Sequence, residues 1–397
     1  MPRRLATLVA GLALLLLPLR GAAAGTQTYP MPDKGKVTIS GHGYGHGHGM
    51  SQHGAQGAAL QGKTWQEIVG FYYPGTSFGK APRRVRVLIS ADTTRDVVVR
   101  SRSRLSVKDT GTREKWVLPD NGARRWRLNV DGRGRSVVAY HDGRWHRWRT
   151  LSGDGFFAAG GRPITLVTPA GPRRYRGRLF AARPAPGSHD RDTVNALHIN
   201  AYLKGVVPQE MPALWEPEAV RAQSVAARTY ASHERARPRA AHYQLCDTTA
   251  CQVYGGHDAE HPAASAAIRA TGRTILTHQG EPAFTQFSAS SGGWTSANQF
   301  PYLSAQEDPF DDWVRSDGSA GNPNHAWQVD VDVASLEGAF DIGDLKEIRV
   351  LQRDGNGEWG GRVRSLELEG TGGKVVEVTG DTFRFRLGLR STWFSFG

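Results

Sequence analysis

The sequence predicts an α+β protein with helices toward both ends of the chain and an all-β stretch between them. Three observations carry that prediction. Capped segments with helical periodicity occupy residues 64–72 and 217–235, short alternating strands fill residues 85–180, and a glycine-histidine run, GHGYGHGHGMSQHGAQGAA at 41–59, precedes the first helix. The chain divides accordingly into a leader (1–24), a Gly/His motif with a helical segment (25–80), a β module (81–190) and a larger remainder (191–397).

The leader comes first. Arg3 and Arg4 precede an apolar run over residues 5–19, and Ala22, Ala23 and Ala24 follow it, which is the pattern of a secretory signal peptide with a small-residue cleavage site. No later stretch approaches the ~20 apolar residues that spanning a bilayer needs. The expected location is therefore outside the cell, at the cell wall. Removal of Arg3, Arg4 and Arg20 lowers the formal charge from +13 to +10. So basic an exported surface favours anionic wall polymers, lipid head groups or acidic glycans over nucleic acid.

After the glycine run, MSQHGAQGAALQG and TWQEIVGFYYPG predict two short helices joined at Gly62, with the run exposed as a loop before them. Thr64 and Glu67 form an S/T-x-x-E capping box, Trp65, Ile68, Val69 and Tyr72 share one face, and Pro74-Gly75 stops the second helix. In the β module Trp116, Trp126, Trp145 and Trp148 stand among arginines. A sugar-stacking surface is one reading, but core and cross-strand packing is the usual fate of tryptophan. ARPAPGSHD at 182–190 reads as the exit linker.

Beyond the linker a strand gives way to helices. Pro217 suits the first turn of a helix running to about Arg235, whose Ala219, Ala222, Ala226, Ala227 and Ala231 let another backbone lie against it. HPAASAAIRATG predicts a helix between Pro262 and Gly272, RTILTHQGEPAF a hairpin turning at Gln279-Gly280, and TGDTFRFRLGL a last helix capped by Asp381. Cys246 and Cys251 form a lone close pair. In an oxidising compartment that pattern reads as a disulfide, with zinc held by both thiolates and His242 as the alternative, although four ligands are usual.

Three segments, AYLKGVVPQEMPALWEPEAVRAQSVAARTYA, FSASSGGWT and the glycine-histidine run, resemble the signature segments of the stage II sporulation protein D / amidase enhancer LytB (SpoIID/LytB) family. The resemblance covers residues 41–76 and about 194–397. It implies a SpoIID-like core with short helices lining a cleft and makes the β module an insertion. In the sporulation protein the GHG…GMSQ…GA segment comes after the last FR-x-x-L-x-L helix; here it comes first. The chain therefore looks circularly permuted, which requires residues 41–75 to pack beside residues 382–389 and beside Glu210.

The resemblance implies a peptidoglycan lytic transglycosylase, which breaks the MurNAc-GlcNAc bond without water and leaves a 1,6-anhydro sugar. The position matching the family's catalytic acid is Glu210. Its neighbours Pro208, Met211 and Pro212 would supply a partly apolar pocket that raises a carboxyl pKa. Hydrolases pair two carboxylates, whereas this reaction can run on one. His46, Ser51 and Gln52 on the glycine run, Gln223 and Arg228 on the long helix, and Ser288, Ser290 and Ser291 in the serine loop are the expected glycan contacts. The G-x-S-x-G elbow of a serine nucleophile is absent. His42, His46, His48 and His53 could hold a metal, but no carboxylate or cysteine accompanies them, so a cleft wall ranks first, a structural turn second and a metal site third. No cofactor is required. The other reading is a non-catalytic wall-binding enhancer of an N-acetylmuramoyl-L-alanine amidase, with that amidase as partner.

Overall fold

The long helix Pro217–Ala236 organises one half of the molecule, and the computed structural model, which describes residues 26–397, surrounds it with shorter helices. The leader lies outside the described residues. Pro217 takes the first helical position, and the five alanines named above are all buried. Their small side chains let helices Gln52–Leu60, Trp65–Tyr72, Ile199–Lys204 and Pro262–Ala270 pack directly on this one. The Thr64 capping box forms in both directions, and Gly62 between the first two helices has φ +80°. Strand Thr274–His278 also lies on the long helix and turns at Gln279 and Gly280, both at positive φ, into Glu281–Pro282.

The β stretch forms two layers over one core, antiparallel except where Leu245–Cys246 joins Arg84–Leu88 in parallel. A six-stranded sheet runs, in spatial order, Trp145–Thr150, Ser136–His141, Arg125–Val130, Val97–Arg100, Ile164–Thr168 and Gly171–Tyr175. A seven-stranded sheet contains Ser106–Asp109, Gly155–Ala158 and Arg178–Ala182 together with Arg84–Leu88, Asp192–His198 and Leu245–Cys246. Strands from either side of residue 190 thus share one sheet, and the apolar core under it continues from Val99, Trp126 and Phe157 to Leu203 and Val225. Trp126 is buried, while Trp116 and Trp148 pack at the edge of this core with the Arg149 guanidinium 4.3 Å and 5.0 Å from their ring centroids.

A second core joins the two ends of the described chain. Strand Lys36–His42 pairs with both Ala326–Asp332 and Phe394–Phe396. A four-stranded sheet, Gln27–Pro30, Leu345–Arg353, Val363–Gly370 and Val375–Thr379, packs with helices Val333–Phe340 and Gly380–Leu387 around Phe340, Phe383 and Phe394. The last helix is capped by Thr379, whose side chain accepts from the Thr382 amide; Asp381, the expected cap, sits in the first turn instead. Thr379 ends a strand with extended backbone, the conformation an N-cap needs.

The glycine run is not an exposed loop. Gly43, Gly47 and Gly49 are buried, and the Tyr44 and Gly45 amides donate to the carbonyls of Ser290 and Arg390, each at 2.9 Å. Gly45 forms a β-bridge with Ser391, just beyond the last helix. The run is buried because the side chains of other segments fill its empty Cβ positions. At Gly41 a Cβ would collide with the Trp327 indole, and at Gly47, where φ is +76°, with the Arg362 guanidinium.

Candidate functional site

Glu210 ends the one-turn helix Val207–Glu210, whose first turn holds Pro208. The chain then turns extended at Met211, so the glutamate side chain leaves the backbone at a corner. Its Oε1 accepts a hydrogen bond of 2.9 Å from the Val253 amide. Burial raises the carboxyl pKa above the usual range, and the Val253 bond offsets part of that rise. The side chain lines a cavity of about 360 Å³ with His46, Tyr230, Arg239, Gln252, Gln286 and Phe287. Among the described residues lining it, Glu210 is the one carboxylate.

One wall of the cavity is the loop following Leu245–Cys246. Cys246 and Cys251 are joined as a disulfide, and the Cys246 amide donates to Cys251 Sγ at 2.9 Å. The loop is anchored at its far end by Tyr202 Oη, which donates to Gln252 Oε1, and by Tyr254 Oη, which donates to Asn195 Oδ1. It therefore holds Val253, and through it Glu210. The alternative zinc set does not assemble: His242 points to Asp192, with 2.6 Å between Nε2 and Oδ2, and both sulfurs are in the disulfide. Arg239 is held at the cavity by Glu234, with 2.6 Å between Nε and Oε2.

His46 enters the same cavity from the glycine run. Its Nδ1 accepts from the His48 amide at 2.9 Å, and an amide can only donate, so the neutral ring carries its proton on Nε2. Burial first, then the nearby His48, Arg362 and Arg384, lowers its pKa to about 3. The four histidines do not converge. His42 pairs with Glu358 and the His325 carbonyl, His48 with the Ser296 carbonyl, and His53 lies against Trp215. Only His46 and His48 lie side by side, with ring centroids 5.0 Å apart, while His42 and His53 are directed elsewhere.

The expected glycan contacts divide into two groups. His46 lines the cavity, whereas Ser51, Ser290 and Ser291 are buried and turned away to two aspartates. Ser51 Oγ and Ser290 Oγ donate to Asp311 at 2.6 and 2.7 Å, and Ser291 Oγ donates to Asp308 at 2.7 Å. Asp311 also accepts from Asn322 and the Ser291 and Gly292 amides, and it pairs with His325. Burial and the Asp311 charge push Asp308 up to about 7; despite burial, the bonds from His325, Ser51 and Ser290 hold Asp311 below the usual range. Ser288 pairs through its strand with Ser51, and Gln52 makes a long 3.5 Å contact to the fully buried Gln223.

Arg228 corrects the expectation most clearly. It is fully buried and donates to Asn200 Oδ1, the Thr274 and Ile268 carbonyls and Thr271 Oγ1, which ties the long helix to its neighbours. Carbonyls near the ends of adjacent elements provide two of its partners, and its full burial keeps it from a glycan. Sequence reasoning missed Tyr230, Arg239, the Val253 amide and the Asp308–Asp311 pair. The acids sit in AQEDPFDDW, a run that by composition reads as a solvated turn.

Residues 187–278 match the family described as stage II sporulation protein (SpoIID). The amidase enhancer of Bacillus subtilis (strain 168) is 40% identical over 115 residues, 28% of this chain and 15% of that protein. Stage II sporulation protein D of Bacillus amyloliquefaciens is 32% identical over 143 residues, and that of Bacillus subtilis (strain 168) 30% over 142; each match covers 30% of this chain and 41% of the relative. This chain thus spans well under half the length of these relatives. The matched segment holds Glu210, the disulfide loop and the long helix, and through it the chain is similar to the SpoIID/LytB family.

Proposed function

We propose that the protein is an exported peptidoglycan lytic transglycosylase acting at the cell wall. The observation that carries this reading is the lone carboxyl of Glu210, raised in pKa, hydrogen-bonded through one oxygen and lining the cavity without a second carboxylate. A hydrolase needs two such groups. Here Glu210, protonated, gives its proton to the glycosidic oxygen as the bond from C1 of MurNAc breaks. The resulting carboxylate takes the proton of the sugar's own C6 hydroxyl as O6 closes onto C1, which yields the 1,6-anhydro end and restores the acid. His46 Nε2–H and Arg239 supply donors to neutral and anionic oxygens of the glycan.

A second reading is favoured by the name of one relative, the amidase enhancer: a non-catalytic wall-binding partner of an N-acetylmuramoyl-L-alanine amidase. Digestion of purified, peptide-free glycan strands separates the two. Anhydromuramyl ends that appear with the wild type and disappear with Glu210→Gln support the enzyme. No product from either protein, with sacculus binding intact, would move the reading to the enhancer.

A further inference from the structure

The chain's positive charge is concentrated in one region. Residues 81–190 hold 24 Lys and Arg against 9 Asp and Glu, a net +15, whereas residues 191–397 hold 19 against 26, a net −7. Within the β region the charge is also set on one face. In the six-stranded sheet Val99, Trp126 and Leu128 point into the core, so their alternating neighbours point outward. The strand registers place Arg100 opposite Arg125, Arg125 opposite His141 and His141 opposite Trp145, a single row across four strands. A second row beside it contains Arg127, Ala139 and Arg147.

Like charges directly opposite each other in a sheet are destabilising. Arg100 and Arg125 nevertheless stand as cross-strand partners, both exposed, and neither has a carboxylate within ion-pair distance among the described residues, whereas Arg127 and Arg147 approach Asp96 and Asp131. Strands about 4.8 Å apart set Arg100 and Arg125 one strand spacing from each other and Arg127 and Arg147 two spacings apart across Ala139, so cations recur across the sheet within the reach of successive anions on an extended polymer. We propose that this face is a binding surface for a phosphodiester-linked wall polymer with one anion per repeat. The choice of a wall polymer rests on the reading of the protein as exported; the anionic chemistry does not. A guanidinium fork takes a phosphate with two donors. The Trp145 ring is covered by the Arg127 guanidinium at 4.2 Å, which leaves no bare ring in these rows for stacking a nucleobase. In residues 81–190 the one strongly exposed large apolar side chain is Val117, outside both rows, so the face lacks anchors for a lipid surface.

The test measures affinity of the full chain for poly(glycerol phosphate) at low and moderate salt. The wild type should bind with a steep salt dependence, since each neutralised phosphate releases counterions. The triple variant Arg100→Gln, Arg125→Gln, Arg147→Gln should bind at least tenfold more weakly with a shallower salt slope and an unchanged melting temperature. The corresponding triple lysine variant should recover part of the affinity. Glu210→Gln should bind the polymer as the wild type does, so loss of cleavage and loss of polymer affinity report separately. Equal affinity of wild type and glutamine variant would overturn the proposal. So would tighter binding to anionic vesicles or to duplex DNA than to the polymer.

Discussion

The cavity region and the β region treat charge in opposite ways. Around Glu210 and the serine loop, ionisable groups are buried and matched with specific partners: Asp311 collects hydroxyl, amide and imidazole donors, and Arg228 is spent on backbone carbonyls. In the six-stranded sheet the arginines remain at the surface, and two face each other without a counterion. Burial makes a group's protonation depend on its neighbours, so the first region can do proton chemistry. Exposure leaves charge available over an area, so the second can bind a polymer without selecting one atom.

The largest difference should appear at Glu210. Glu210→Gln keeps shape and an amide hydrogen-bonding group but cannot transfer the proton, so release of anhydromuramyl product should fall by ~10²- to 10⁴-fold while sacculus binding persists. The raised pKa sets the pH response: wild-type activity should decline as pH rises past it. Because the folded pKa lies above the unfolded one, the stabilising share of the protonated acid is lost over the same rise. Melting curves of wild type and variant across pH should therefore converge on the acid side and separate on the alkaline side, with the variant the more stable.

Next is the buried acid pair. Asp311→Asn removes the charge that organises Ser51, Ser290 and His325 and should cost about 3 kcal/mol in denaturant unfolding, as breaking a buried pair does. The two acids respond to pH in opposite directions. Asp311, with a lowered folded pKa, contributes stability above its unfolded pKa that disappears as pH falls through the folded value. Asp308, raised to about 7, contributes stability at low pH that disappears as pH rises through about 7. Asp308→Asn, which copies the protonated form, should flatten the alkaline side of the melting temperature profile. A profile unchanged by both substitutions would mean that the pair does not titrate as described.

Replacing both cysteines with serine should cost about 2 kcal/mol, the chain-entropy value for so short a loop. It should also reduce cleavage, because the loop carries the Val253 amide that holds Glu210. Reduction of the wild type by dithiothreitol should reproduce both effects. The smallest expected effect belongs to the β region. Arg125→Gln relieves a like-charge pair and should leave stability unchanged or raise it by ~0.2 to 1 kcal/mol, whereas Arg127→Gln loses its stacking on Trp145 and should lower it by ~0.5 to 1 kcal/mol. If both substitutions were equally destabilising, the distinction between free and paired arginines on that face would fail.

Signals that act within a few residues were readable before any fold was known. Pro217 at a helix start, the Thr64–Glu67 box, and the positive-φ turn at Gln279–Gly280 each satisfy backbone groups in their own turn, so residue type alone specifies them. The motif around Glu210 likewise singled that residue out from local sequence alone. What tertiary structure decided is the environment of each candidate. The amide that holds Glu210 comes from Val253, 43 positions along the chain, and the carboxylate that claims Ser51 is Asp311, 260 positions along. The Ser51, Ser290, Ser291 and Arg228 expectations rested on polarity, and polarity does not say whether a side chain faces a cavity or a buried partner. Burial, pKa and partner choice are sums over contacts distant in sequence, so they exist only once the strands near the two ends have paired and the long helix has been covered.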